Sequence, residues 1–145
     1  MGDAYCQEPG TEELISRMQD AQTPGQFIDS CKVDLPTLSD YLHDLLDEKG
    51  LKRADVVRDA GLNPTFGYQI FMGTRHGSRN KLLQIAFAMG LTPKETERVL
   101  RLGGHAPLYV KDRRDAIILF CLNKGMNLAQ AEKNLYELGE ETICK

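Results

Sequence analysis

Gly61-Leu62-Asn63-Pro64 constrains this chain more than any other four residues, because it closes one helix and opens the next within a single tight turn. Glycine is the usual residue just past a helix end. Asn63 then offers a side-chain acceptor to the first unpaired amides of a new helix. Pro64 suits the first helical position, where it has no amide to leave unpaired. Gly73 stops the new helix after about nine residues. So short a helix buries one stripe and turns the other outward. Phe66, Ile70 and Phe71 make the inward stripe; Tyr68 and Gln69, three and four residues on from Thr65, complete an outward polar row with it.

The same punctuation runs along the whole chain. Thr11 ahead of Glu12, Glu13, Leu14, Ile15 and Met18 predicts an amphipathic helix ending near Thr23-Pro24-Gly25, followed by a short helical piece over Gln26 to Ser30. Leu38, Leu42, Leu45 and Leu46 recur at helical spacing from Thr37 to Lys49, with Asp40, Asp44, Asp47 and Glu48 opposite them and Gly50 as the stop. A helix over Arg53 to Ala60 points Ala54, Val57 and Ala60 inward. Ser78 caps a helix through Met89 whose stripe is Leu82, Leu83, Ile85, Ala86 and Met89. Thr92-Pro93-Lys94-Glu95 is a capping box opening a helix through Leu102, with Val99, Leu100 and Leu102 inward.

After a loop or hinge at Gly103 to Pro107, two more helices are expected over 112–123 and 127–138. Lys124-Gly125-Met126 echoes Lys49-Gly50-Leu51 through shared helix-stop chemistry. Ala116 to Leu122 is apolar on every face, which predicts burial all round, either at the centre of the C-terminal half or with one side closing a homodimer. No stretch alternates with a strand period. The fold class is all-α: an N-terminal helical arm (1–36), a five-helix domain (37–102) and a C-terminal helical pair packed on it (103–145).

Charge is distributed unevenly over this plan. With 18 basic and 21 acidic residues the net charge is −3, which by itself is no nucleic-acid signature. Residues 1–33 hold six acids and two bases, 34–59 seven and four, and 95–145 eight and eight. Residues 60–94, which contain the short outward-facing helix, hold four bases and no acid. One basic face on an acidic body fits double-stranded DNA: a short helix enters the major groove, Thr65, Tyr68 and Gln69 meet base edges, and Arg75, Arg79 and Lys81 follow at the phosphates. In this reading the Gln69 amide pairs with an adenine edge. Tyr68 equally suits packing on a neighbouring helix.

Residues 37 to 91 resemble the Cro and phage-repressor type of helix-turn-helix, the xenobiotic-response-element family of transcription regulators. They share its five short helices, its glycine between the second and third, and its Gly-x-Arg after the reading helix. The Leu-Tyr, Arg-Arg-Asp-Ala-Ile-Ile and Leu-Tyr-Glu-Leu-Gly segments extend the resemblance to a group of small bacterial regulators from Gram-positive organisms. The resemblance implies that Lys52, Arg53 and Asn63 contact backbone phosphates and that Thr65 and Gln69 face bases. It puts Arg75, His76, Arg79 and Asn80 on the phosphates across the groove. Two positions depart from the family. Ile70-Phe71 replaces a frequent Trp-Glu pair, and Gly67 replaces an apolar packing residue at a cost of about 0.5 to 1 kcal/mol relative to alanine. Gly67 therefore implies a helix that is less rigid or packed unusually closely.

Other chemistries find no support in the sequence. Cys6, Cys31, Cys121 and Cys144 lack paired spacing and read as reduced thiols, and His43, His76 and His105 form no ligand pair, so no metal or cofactor is expected. No nucleophile and base pair or phosphate-binding glycine loop suggests an enzyme. No run approaches the roughly 20 apolar residues of a membrane span, and no signal-peptide pattern opens the chain, so a cytoplasmic protein is expected. The expected function is that of a sequence-specific DNA-binding transcriptional regulator. The alternative is a non-enzymatic adaptor that binds protein on a helix-turn-helix scaffold.

Overall fold

Side chains set most of the helix starts. In the computed structural model, which describes residues 11–20, 22–24 and 37–144, Thr37, Asn63, Ser78, Thr92, Asp112 and Asn127 each accept a backbone N–H at the head of a helix. Each satisfies amides that a helix terminus otherwise leaves unpaired. The helices are α1 (Thr11–Asp20), α2 (Leu38–Lys49), α3 (Arg53–Asp59), α4 (Pro64–Met72), α5 (Arg79–Met89), α6 (Pro93–Leu102), α7 (Arg113–Asn123) and α8 (Leu128–Glu137). The protein is all-α, with no strand among the described residues. The short piece expected over residues 26–30 lies outside them.

A single hydrophobic core runs from Tyr41 in α2 to Ile143 beyond α8. Its hub is α5, which touches α3, α6 and α8; α2 packs on α4 and α6, and α7 packs on α6 and α8. Seven residues of α5, Leu82 to Phe87 and Met89, are buried. The all-round burial expected of α7 therefore belongs to α5. In α7 the buried side chains are Asp115, Ile118, Cys121 and Leu122, while Phe120 is 55% exposed. The reason is position: α7 lies at the edge of the bundle, with α6 and α8 against it. On α1, Ile15 and Met18 are exposed.

Two expectations about α3 and α4 resolve together. On α3, Val57 is buried as expected and so is Ala60 just after the helix, while Ala54 is exposed and Val56 takes its place on the inward side. Gly67 explains why Val57 fits. A β-carbon at Gly67 would stand 2.5 and 2.8 Å from the two γ-methyls of Val57, closer than carbon atoms can approach. The glycine thus lets α4 lie directly on α3, and the unusually close packing is the one adopted. Ile70 and Phe71 of α4, 1% and 0% exposed, are core residues, the Phe71 ring meeting His43 of α2 edge-on; burying a phenylalanine fully is worth about 1.5 to 3 kcal/mol.

The helix stops after α2 and α7 use the same bonds. Leu51 N–H donates to Leu46 O at 2.9 Å, and Met126 N–H to Cys121 O at 3.0 Å. The segment beyond α8 folds back as a strap. Ile143 enters the core while the Glu132 carboxylate accepts the amides of Ile143 and Cys144. Arg114 donates to the carbonyls of Glu141 and Thr142.

Candidate nucleic-acid interface

Helix α4 is fixed at both ends. Asn63 Oδ1 accepts the amides of Thr65 at 2.9 Å and Phe66 at 3.1 Å, and Pro64 occupies the first turn. At the other end Gly73 is left-handed (φ 80°), which curls the chain back so that the amides of Thr74 and Arg75 both donate to Gln69 O. That turn lays Arg75 alongside Gln69: Arg75 Nε donates to Gln69 Oε1 at 3.1 Å.

The outward face of α4 is held between basic residues of its neighbours. Tyr68 is 45% exposed, with the Arg53 guanidinium 4.4 Å from its ring centroid. Phe66 is half-buried, and the charges of Arg75 and Lys81 approach its ring at 5.4 and 6.0 Å. Cation–π contacts of this kind hold long side chains in place without neutralising their charge. Phe66 was expected only as a core residue; here it is also the platform for two cations. The signal for it was present in the sequence as an aromatic residue inside a basic, acid-free segment. Tyr68 lies against α3 through Arg53 and keeps part of its ring outward.

The remaining candidates divide into two groups. Lys52, Asn63, Thr65, Arg75 and His76 are exposed and Arg53, Gln69 and Lys81 half-buried, with Arg53, Arg75 and Lys81 beside side chains of α4. Arg79 and Asn80 belong to a different structure. Arg79 Nη1 and Nη2 donate to the two carboxylate oxygens of Asp115, both at 3.0 Å, while Nε and Nη2 donate to Ala106 O and Pro107 O. Four of the five N–H groups of a guanidinium are thereby used. Asn80 Oδ1 accepts from Arg114 Nη2 at 3.2 Å. Arg79 is thus an internal clasp, a correction to its reading as a phosphate contact. The acid that pairs with it lies 36 residues away and could not be seen from the local charge pattern.

Asp115 is 6% exposed. Burial works to raise its pKa, but the Arg79 hydrogen bonds, the Tyr109 amide and the charges of Arg79 and Arg114 outweigh that and hold the carboxyl below its usual value. His105 adds a contact of 2.8 Å from Nε2 to Gly77 O. The loop expected to be a possible hinge at Gly103 to Pro107 is therefore pinned to the head of α5.

Among the described residues, no three His, Cys, Asp or Glu side chains stand close enough to hold a metal ion, and no helix is long and apolar enough to cross a membrane. Of the two cysteines described, Cys121 is buried and Cys144 exposed. Comparison with protein-family models, curated proteins and solved structures finds no match.

Proposed function

We propose that residues 37–102 form a phage-repressor-like helix-turn-helix domain and that the protein is a sequence-specific DNA-binding transcriptional regulator, with α4 as its reading helix. The observation that carries this reading is the outward face of α4: a short helix capped at both ends, with Thr65, Tyr68 and Gln69 outward and the charges of Arg53, Arg75 and Lys81 gathered beside it by aromatic contacts. Side chains of this kind serve both tasks a groove-bound helix needs, cations for phosphates and amide or hydroxyl groups for base edges. Lys52, Asn63 and His76 complete the phosphate set. The acid-free stretch 60–94 favours the same surface, since no carboxylate within it repels a polyanion.

The adaptor alternative draws on another part of the molecule, where Phe120 on α7, Tyr136 on α8 and Leu138 just beyond α8 expose apolar surface. Hydrogen exchange in the presence of a duplex distinguishes the two readings. The regulator reading expects protection in residues 63–69 and 74–76 with none added on α7 and α8. A duplex that protects neither segment supports the adaptor.

A further inference from the structure

We infer that Gln69 and Arg75 act as one reading unit and that this unit selects guanine. The inference rests on the DNA-binding reading and goes beyond it by naming the base.

An isolated glutamine suits adenine, because its amide oxygen accepts from the adenine N6 amino group while its amide nitrogen donates to N7. Gln69 is not isolated. Its Oε1 already accepts from Arg75 Nε at 3.1 Å. The nitrogen of a guanidinium can only donate, so the side-chain oxygen must face it and the Gln69 Nε2 amino group must face away. What the pair turns outward is then a row of donors: Gln69 Nε2 and the Arg75 terminal nitrogens. None of these nitrogens makes a hydrogen bond or ion pair with any of the described residues, and no acid lies within 60–94 to claim them.

Among the four bases, guanine alone offers two acceptors, O6 and N7, and no donor on its major-groove edge. Adenine and cytosine each present an amino group that needs an acceptor, and the pair sets a single acceptor oxygen, turned toward Arg75 and with one of its two lone pairs taken, against a row of donors. Two further contacts keep the unit rigid. The Phe66 ring lies 5.4 Å beneath the Arg75 guanidinium, and the Arg75 backbone amide is itself bonded to Gln69 O at 3.3 Å. A donor row pre-set in this way loses little conformational freedom on binding.

The test uses the full-length protein and a duplex obtained by selection from random sequence with the wild type. Each position of that duplex is replaced in turn by the other bases and by 7-deazaguanine, and binding is compared for wild type, Gln69→Ala, Arg75→Ala and the double variant. The expected result is one guanine at which both single variants lose discrimination, with affinity down by about tenfold or more. The double variant should lose no more than the worse single one, since the two side chains form one contact. Replacing that guanine by 7-deazaguanine, which lacks the N7 acceptor, should weaken the wild type and leave the variants unchanged. Relaxation by Gln69→Ala at an adenine, or relaxation by the two variants at different positions with additive losses, overturns the pairing while leaving DNA reading intact. A wild type that selects no sequence overturns both.

Discussion

Arg79 and Asp115 hold the first turn of α5 to the first turn of α7 by two hydrogen bonds of 3.0 Å each. The same guanidinium also takes the carbonyls of Ala106 and Pro107, so one side chain ties the loop 103–112 to both helices. The C-terminal pair and the rest of the bundle consequently share one core rather than meeting at a hinge.

Removing Arg79 leaves a buried carboxylate without its counter-charge. Arg79→Ala should lower stability by about 3 kcal/mol, the scale seen when one partner of a buried ion pair is lost. Urea denaturation measures it. A change under about 0.5 kcal/mol would show that the clasp contributes nothing.

The pH dependence of stability has a definite sign. Because the Asp115 pKa is lowered in the folded state, its contribution is fully present above the unfolded value of about 3.9 and is lost as pH falls through the lowered folded value. Denaturation midpoints of the wild type should drop across this acid range. Asp115→Asn should be less stable near neutral pH and show a shallower decline in acid. Parallel curves for the two proteins would contradict the assignment.

Gly67 makes the usual helix rule run backwards. Alanine normally gains about 0.5 to 1 kcal/mol over glycine inside a helix, but here its methyl group meets Val57 at 2.5 Å. Gly67→Ala should destabilise by about 1 to 3 kcal/mol through overpacking, and Val57→Ala in the same chain should recover part of that loss. Thermal unfolding of the four-member cycle is the measurement, and a stabilised Gly67→Ala protein would refute the close approach.

Much of the fold was legible because it is written in local chemistry. The caps at Asn63, Ser78 and Thr92 and the stop at Gly73 act within a few residues, so their spacing gives the elements directly. Long-range relationships were not legible. Nothing near Arg79 foretells Asp115, and nothing near Ala116 to Leu122 tells which helix will be enclosed, because burial depends on how many neighbours arrive from elsewhere in the chain. The site divides in the same way. The polar row at Thr65, Tyr68 and Gln69 follows from periodicity, whereas the bond between Gln69 and Arg75 depends on the turn at Gly73.

In the proposed DNA-binding reading, salt separates the cations assigned to phosphates from Arg79, which is not. Each phosphate neutralised steepens the log-log dependence of affinity on salt by about 0.9. Alanine substitutions at Lys52, Arg53 and Lys81 should each reduce that slope by about this amount in anisotropy titrations. Arg79→Ala, measured where it remains folded, should leave the slope unchanged; a reduction would return Arg79 to the interface.

Selection of bound duplexes from a random pool by the purified wild-type protein decides whether α4 reads DNA sequence. A defined motif should be enriched, with that enrichment weakened when Gln69 is replaced by alanine while retention of unselected duplexes, which rests on the surrounding cations, is nearly unchanged. A pool that stays random after repeated rounds would contradict sequence reading by α4.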